Sequence, residues 1–244
     1  MEECDTEAAR GNGIEVIDER ARFLRSVPLF EGLDEAHVEA LARVTASRRF
    51  PRGTTVFFEG DRGESLYIVR SGCVKIYRVA EDGREKTLAL LGDGEFFGEM
   101  ALLDEEPRSA VAECLEPTTL YILHRNDFRR LLFENASMSL EILRVMSKRL
   151  RQTNAQVSDL VFKDVRARVS RALLDLAKRH GVNVESGAKV ALKLTHQELA
   201  NLVGTARETV SRILAEFQDA RYITFEGRYV VVVDREGLMQ VGSS

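Results

Sequence analysis

The sequence predicts an α+β fold in which an all-β unit comes first, a long helix follows and a winged helix-turn-helix lies at the C-terminal side. Three observations predict it. Between residues 49 and 124 short apolar or alternating runs are separated by glycine turns. Between residues 140 and 160 side chains repeat with heptad spacing. From residue 195 to 218 two T-x-x-E signals stand ten residues apart, with a glycine between them.

The 244 residues suffice for two domains, each with its own core. Hydrophobic residues make up 44% and charged residues 30%. No apolar run approaches the roughly eighteen residues that a membrane span needs, so a cytoplasmic protein without a membrane partner is expected. The opening "MEECDTEAARGNG" lacks the basic flank and apolar stretch of a signal peptide, and residues 1–17 read as a disordered tail. Cys4, Cys73 and Cys114 are widely spaced, with no CxxC pair to suggest a metal or a disulfide framework. Cys73 and Cys114 read as buried small hydrophobes.

In chain order, "IDERARFLRSVPLF" and "LDEAHVEALARV" are two short helices, parted by Pro28, with Asp34 able to cap the second. The strands follow in "TTVFFE", "SLYIVR", "VKIYRV", "KTLALL", "SAVAEC" and "TTLYIL", with Asp82-Gly83 as the strongest hairpin signal. Their regular spacing indicates a closed or sandwiched β unit, and the first domain is placed at 18–135. Residues 136–163 form the long helix. Its seam runs through Leu143, Leu150 and Val157 at one heptad position and Met146, Thr153 and Leu160 at the other, which predicts a parallel homodimer. Packing on its own domain is the alternative.

Residues 164–244 form the last domain. "DVRARVSRALLDLAKRH" is amphipathic and stops at Gly181, and "KVALKL" is a strand. Thr195 with Glu198, and Thr205 with Glu208, then cap two helices about the turn at Gly204. On the second helix Val210, Ile213, Leu214 and Phe217 follow i, i+3, i+4, i+7 and face inward. Arg207, Glu208, Ser211 and Arg212 therefore face outward, with Arg207 and Glu208 in the turn that reaches base edges in the major groove. An arginine fork matches guanine O6 and N7, and a glutamate can accept from cytosine N4. The bland alternative, an i,i+4 ion pair of Glu208 and Arg212 on a solvated face, leaves the caps, the turn and Arg207 unexplained. "YITFEGRYVVVVD" reads as a strand, turn and strand, a wing with Arg221 and Arg228 placed to reach phosphates. The charge balance agrees in sign: the whole chain carries −4, whereas residues 165–244 hold twelve Lys or Arg against nine Asp or Glu. An excess of that size does not by itself distinguish nucleic-acid contact from chance.

The stretch "FFGEMALLDEEPRSA", residues 96–110, has a different chemistry. Gly98 permits a tight turn, a short helix in "EMALL" would offer free N–H groups to an anion, Arg108 supplies a charged fork and Ser109 a hydroxyl. A lone Glu99 would repel phosphate. It makes sense as an acceptor for a sugar hydroxyl, balanced by an arginine, which points to a ribose carrying a singly charged phosphate.

F-G-E-x-A-L-L-x-x-x-P-R-S-A resembles the phosphate-binding cassette of cyclic-nucleotide-binding domains. With "FKDVRARVSRALLDLA" and "GTARETVSRIL", the chain from about residue 24 to 235 is similar to bacterial regulators of the cyclic AMP receptor protein and FNR family. The resemblance implies a β-roll (double-stranded β-helix) sensor, a dimerisation helix and a winged helix-turn-helix. It implies cyclic AMP as an allosteric ligand, double-stranded DNA and RNA polymerase as partners, and no catalysis. Gly98, Glu99, Met100 and Ala101 would hold the ribose and phosphate, Arg108 and Ser109 the cyclic phosphate, and Arg149 would pair near the ribose. Thr153, with Asn154 of a second subunit, would contact the adenine. Thr195, Thr205 and Arg228 would join Arg207, Glu208, Ser211 and Arg212 on DNA, at TGTGA and TCACA half-sites in inverted repeat. The founding member of that family is a standard example of this docking, so its half-site geometry is carried over rather than derived. Two positions depart from that member: Thr153-Asn154 replaces Thr-Ser, and Ala206 replaces a phosphate-contacting serine. Related effectors are the alternatives. Cyclic GMP is not separated from cyclic AMP, an FNR-like cluster would need four suitably placed cysteines, and a haem could use only isolated histidines such as His124 or His37. A regulatory subunit of an enzyme would have no use for the recognition helix.

Overall fold

The computed structural model describes residues 16–243. Two compact units divide the chain: one runs to Ile76 and resumes over Leu90–Arg149, the other takes Tyr77–Ala89 and continues from Leu150. Residues 1–15 lie outside the described residues. The expected tail reached residue 17, but 16 and 17 already belong to a helix, α1, which runs to residue 25.

In the first unit, Pro28 opens a single 3-10 turn, Pro28–Phe30, that buries Leu29 and Phe30. Helix α2, Glu35–Val44, begins where the Asp34 carboxylate accepts from the His37 N–H at 2.9 Å, which satisfies one of the orphan donors of a helix start. The Arg20 guanidinium donates to the Ala42 carbonyl at its far end. Eight strands follow in chain order, of which β4 and β5 run partly through the Tyr77–Ala89 segment assigned to the other unit: β1 Ala46–Phe50, β2 Thr55–Phe57, β3 Ser65–Ser71, β4 Val74–Val79, β5 Glu85–Leu91, β6 Phe96–Phe97, β7 Val111–Cys114 and β8 Thr118–His124, with the one-turn helix α3, Met100–Leu103, after β6. They form two four-stranded sheets, ordered β1-β8-β3-β6 and β2-β7-β4-β5. Non-consecutive strands are neighbours, as expected of a β-roll. In the first sheet Ala46 lies opposite Ile122 and Leu66 opposite Leu123, both antiparallel.

Alternation explains the core. Leu66 and Ile68 of β3 and Tyr121 and Leu123 of β8 point to one face, where they meet Leu24, Phe30, Leu41, Phe128, Leu131, Met138 and Ile142 from the flanking helices. Two of those helices are α4, Arg125–Glu134, and α5, Ala136–Phe162. Cys73 and Cys114 are buried, as their apolar settings predict. The hairpin at Asp82-Gly83 also forms, with Gly83 at φ +81°.

The second unit is built on α6, Val165–His180, whose first turn is capped by Asp164 accepting from Ala167 N–H at 2.7 Å. It stops at Gly181, where the backbone turns extended and only glycine fits, since a Cβ there would meet the Ala177 carbonyl oxygen at 1.9 Å. Strands β9 Gly181–Val184, β10 Gly187–Val190, β11 Ile223–Glu226 and β12 Tyr229–Val232 form one sheet, ordered β11-β12-β10-β9. Between its halves lie α7, His196–Val203, and α8, Arg207–Asp219. The last helix, α9, Arg235–Ser243, buries Leu238, and its Leu238 and Gly242 carbonyls accept from the Ser170 hydroxyl and the Lys163 ammonium. Strands β1, β6 and β9 and helix α9 are additions to the sequence expectation, and the strand in "KVALKL" is displaced to Gly187–Val190. No helix among the described residues is long and apolar enough to cross a membrane.

Candidate functional site

The first site lies in the turn between β6 and β7. Gly98 takes φ +83°, and a Cβ at that position would lie 2.5 Å from Arg108 Nη1 and 3.2 Å from the Ser65 carbonyl oxygen. Only glycine therefore lets Arg108 lie against the turn. Glu99 follows at the start of α3 and is 1% exposed. Its Oε1 accepts from Arg149 Nη1 at 2.6 Å, while Oε2 is buried with no partner. Arg149 also donates to the Phe96 carbonyl and lies over the Phe96 ring, so two separate contacts fix the cation that balances Glu99.

Arg108 is 4% exposed. Its Nη1 donates to the Gly98 carbonyl at 2.6 Å and its Nη2 to the Ser65 carbonyl at 2.8 Å, while Cζ stands 4.2 Å from the Phe57 ring centroid. Nε is buried and unpartnered. Burial lowers the pKa of this guanidinium, and the neighbouring Tyr67 and Glu99 partly oppose that effect. The stacked pair Tyr67–Phe97, with centroids 5.2 Å apart, packs against Phe57, and Arg108 Cζ also lies 5.7 Å from the Tyr67 ring centroid. Ala101 is buried, whereas Met100 and Ser109 are exposed and weakly paired through Ser109 Oγ and Met100 Sδ at 3.8 Å.

The structure thus brings Gly98, Glu99, Met100, Ala101, Arg108, Ser109 and Arg149 together. Thr153 lies one turn beyond Arg149 on the same helical side, exposed together with Asn154. Sequence reasoning missed Arg125. From the start of α4 its guanidinium donates to the Gly63 carbonyl at 2.6 Å and to the Ala101 carbonyl at 3.1 Å, and so ties α3 to the preceding loop. No motif marks it. Its only signal is a polar residue directly after an apolar strand.

The second site is the pair α7 and α8. Thr195 Oγ1 accepts from Glu198 N–H at 3.1 Å, and the Glu198 carboxylate accepts from Thr195 N–H, so the first capping box forms as expected. The turn at Gly204 is left-handed, φ +74°. The second box does not form. Ala206, not Thr205, is the N-cap of α8, and no side chain caps it. Thr205 N–H instead bonds the Ala200 carbonyl, so the residue continues the exit from α7 and its hydroxyl comes one position too early to cap α8.

Val210, Ile213, Leu214 and Phe217 are buried, which turns Arg207, Glu208 and Arg212 outward and exposed. Arg212 is held by Glu216 at 2.8 Å, one turn on. Ser211 is half-buried and bonded to His196. Arg228 is exposed in the wing turn beside Gly227, and Arg221 is exposed at φ +59° after α8. Arg168 of α6, also missed, donates to the Val203 carbonyl at 3.1 Å and so closes the end of α7. Among the described residues, no group of three or more His, Cys, Asp or Glu side chains is arranged to hold a metal ion.

Two family models match the chain: the cyclic nucleotide-binding domain over residues 47–135 and the Crp-like helix-turn-helix domain over residues 167–241. A CRP-like cAMP-activated global transcriptional regulator of Mycobacterium tuberculosis H37Rv is 40% identical over 216 residues, which cover 88% of this chain and 96% of that protein. The cyclic AMP receptor protein of Thermus thermophilus is 40% identical over 78% of this chain and 85% of its own. Among solved structures, the regulator CLP of Xanthomonas campestris, described as c-di-GMP responsive, superimposes with a TM-score of 0.71 at 33% identity, covering 82% of this chain and 99% of that one.

Proposed function

Because this chain belongs to the cyclic AMP receptor protein and FNR family of DNA-binding transcription regulators, which are not enzymes, we propose that it is a cyclic-AMP-responsive regulator acting as a homodimer on palindromic TGTGA-like sites. The observation that carries the ligand assignment is the state of Glu99. A carboxylate oxygen buried without a partner costs about 1 to 3 kcal/mol or more, so Glu99 Oε2 suits a donor brought by a ligand. A ribose hydroxyl supplies the missing donor. The Arg149 guanidinium pairs with the other Glu99 oxygen, and Arg108 and Ser109 are the cation and hydroxyl for a singly charged cyclic phosphate. Thr153 and Asn154 are the base-side groups, with Asn154 acting on the nucleotide of the second subunit.

Dimerisation through α5 is supported by its exposed apolar stripe. Leu143 and Leu150 are each 62% exposed and Val157 is 56% exposed, seven residues apart, the pattern by which one helix buries itself against a copy. On DNA, Arg207 and Glu208 read base edges, Arg212 joins them on leaving Glu216, and Thr195, Thr205 and Arg228 fix the backbone register. The protein acts in the cytoplasm, with RNA polymerase as its further partner.

Calorimetric titration of nucleotide-free protein with cyclic AMP, cyclic GMP and cyclic di-GMP tests the ligand. Cyclic AMP is expected to bind tightest, with one site per chain. Tighter binding of cyclic di-GMP would transfer the response named for the Xanthomonas relative to this chain, and no binding of any of the three would overturn the cyclic-nucleotide assignment. A gel shift on a TGTGA palindrome, with and without the tightest binder, tests the operator.

A further inference from the structure

Ser211 stands on the second turn of α8, one turn after Arg207, and His196 is the first residue of α7. Their side chains meet: His196 Nδ1 lies 2.7 Å from Ser211 Oγ. The same hydroxyl donates to the Arg207 carbonyl at 3.0 Å. A hydroxyl has one proton, so with that proton on Arg207 it accepts from His196 Nδ1–H. The chain of contacts runs His196, Ser211, Arg207, from the first helix of the motif to the backbone of the residue assigned to base reading.

We propose that His196 is a positioning residue for sequence recognition, acting through Ser211 to fix the Arg207 turn of α8 against the start of α7. The other contacts between these helices are non-directional. Leu199, Ala200 and Val203 of α7 and Val210, Ile213 and Leu214 of α8 are all buried, and apolar packing tolerates small rotations of a helix about its axis. No side-chain cap adds to the restraint that the turn places on α8, because Ala206 leaves the N-cap without a side-chain bond. A hydrogen bond between half-buried groups at the exposed edge is directional and removes that freedom. A long arginine amplifies any residual rotation at its tip, and a bidentate contact with guanine demands placement within about 0.5 Å. Ser211 is then a pin between helices rather than a reader of DNA.

The side-chain geometry of histidine makes the role separable from a direct DNA contact. Nδ1 is bonded to Cγ, as is the amide nitrogen of asparagine, whereas the amide nitrogen of glutamine reaches the place of Nε2. His196→Asn therefore keeps the link to Ser211 and deletes Nε2, and His196→Gln does the reverse. The measurement is the ratio of affinities of the full-length protein for its operator, selected from random DNA with the parent protein, and for random DNA at the same salt. His196→Ala and Ser211→Ala are each expected to lower this ratio by roughly two- to tenfold, the net worth of one hydrogen bond, and the double variant to lower it no further. His196→Asn is expected to hold the parent ratio and His196→Gln to fall with alanine, while affinity for random DNA stays level in all of them. Restoration by Gln but not Asn would make His196 a direct DNA contact, and additive single losses would uncouple it from Ser211. Equal losses on operator and random DNA would make the pair merely structural. Any of these outcomes overturns the proposal.

Discussion

Arg108 carries two burdens that pull against each other. In its proposed role it meets a ligand phosphate away from water, and its burial must be tolerated without that ligand as well. The Gly98 and Ser65 carbonyls and the Phe57 face make the second possible. A charge-assisted bond is worth about 1.5 to 3 kcal/mol, so Arg108→Leu is expected to weaken cyclic AMP roughly ten- to hundredfold by calorimetry while the thermal transition of the protein remains cooperative. Binding as tight as the parent's would remove Arg108 from the site. On DNA the contrast is between two exposed arginines. Arg207→Ala is expected to relax preference at one guanine by about 1 to 3 kcal/mol, whereas Arg228→Ala should weaken all sequences alike and reduce the salt dependence of binding. Affinity measured across single-base operator variants at several salt concentrations separates them. The ion pair of Arg212 with Glu216 is an exposed i,i+4 contact worth only about 0.3 to 0.5 kcal/mol, so it does not prevent Arg212 from reaching DNA.

The two T-x-x-E signals look equivalent in sequence, yet only one is a cap. Thr195→Ala is expected to cost about 1 kcal/mol in denaturant unfolding, because the Thr195 hydroxyl and the Glu198 carboxylate each satisfy an N–H at the start of α7. Thr205→Ala has no cap to lose and should stay within roughly 0.5 kcal/mol of the parent. Equal losses for the two would contradict the boundary of α8 at Arg207. The difference explains what was legible beforehand. Alternation and glycine turns located six strands, and the i, i+3, i+4, i+7 pattern located the inward face of α8, because each reflects local periodicity. The two-residue β6 is too short to show a period, and β1, with Ala46 to Arg49 exposed, has no alternation to read. Helix α9 is held by carbonyl contacts to Ser170 and Lys163 that lie far away in sequence. At the nucleotide site the cassette fixed Gly98, Glu99 and Arg108, but Arg125 acts on backbone carbonyls and those carry no residue signature.

For the whole molecule the question is how nucleotide and DNA sites bias each other. Thr153 is an exposed polar residue in the proposed dimer seam of Leu143, Leu150, Val157 and Leu160, whereas Met146, also expected there, packs on the core of its own unit; nucleotide is the proposed partner of the Thr153 hydroxyl. Coupling between two binding sites is reciprocal, so operator DNA should tighten cyclic AMP by the factor by which cyclic AMP tightens DNA. Thr153→Val keeps the shape and removes the hydroxyl, and is expected to bring that factor toward one without weakening the dimer. Operator affinity with and without saturating nucleotide measures it, and an undiminished factor would locate the switch elsewhere. Leu150→Asp, by contrast, should convert the dimer to monomer in sedimentation. That seam has one more consequence. If a lone chain must leave Leu143, Leu150 and Val157 in water, the protein's own abundance becomes an input to its regulation. When chains are scarce, the population able to occupy a palindrome rises with the square of their concentration, so a cell that makes more of the regulator sharpens its response to the same nucleotide level.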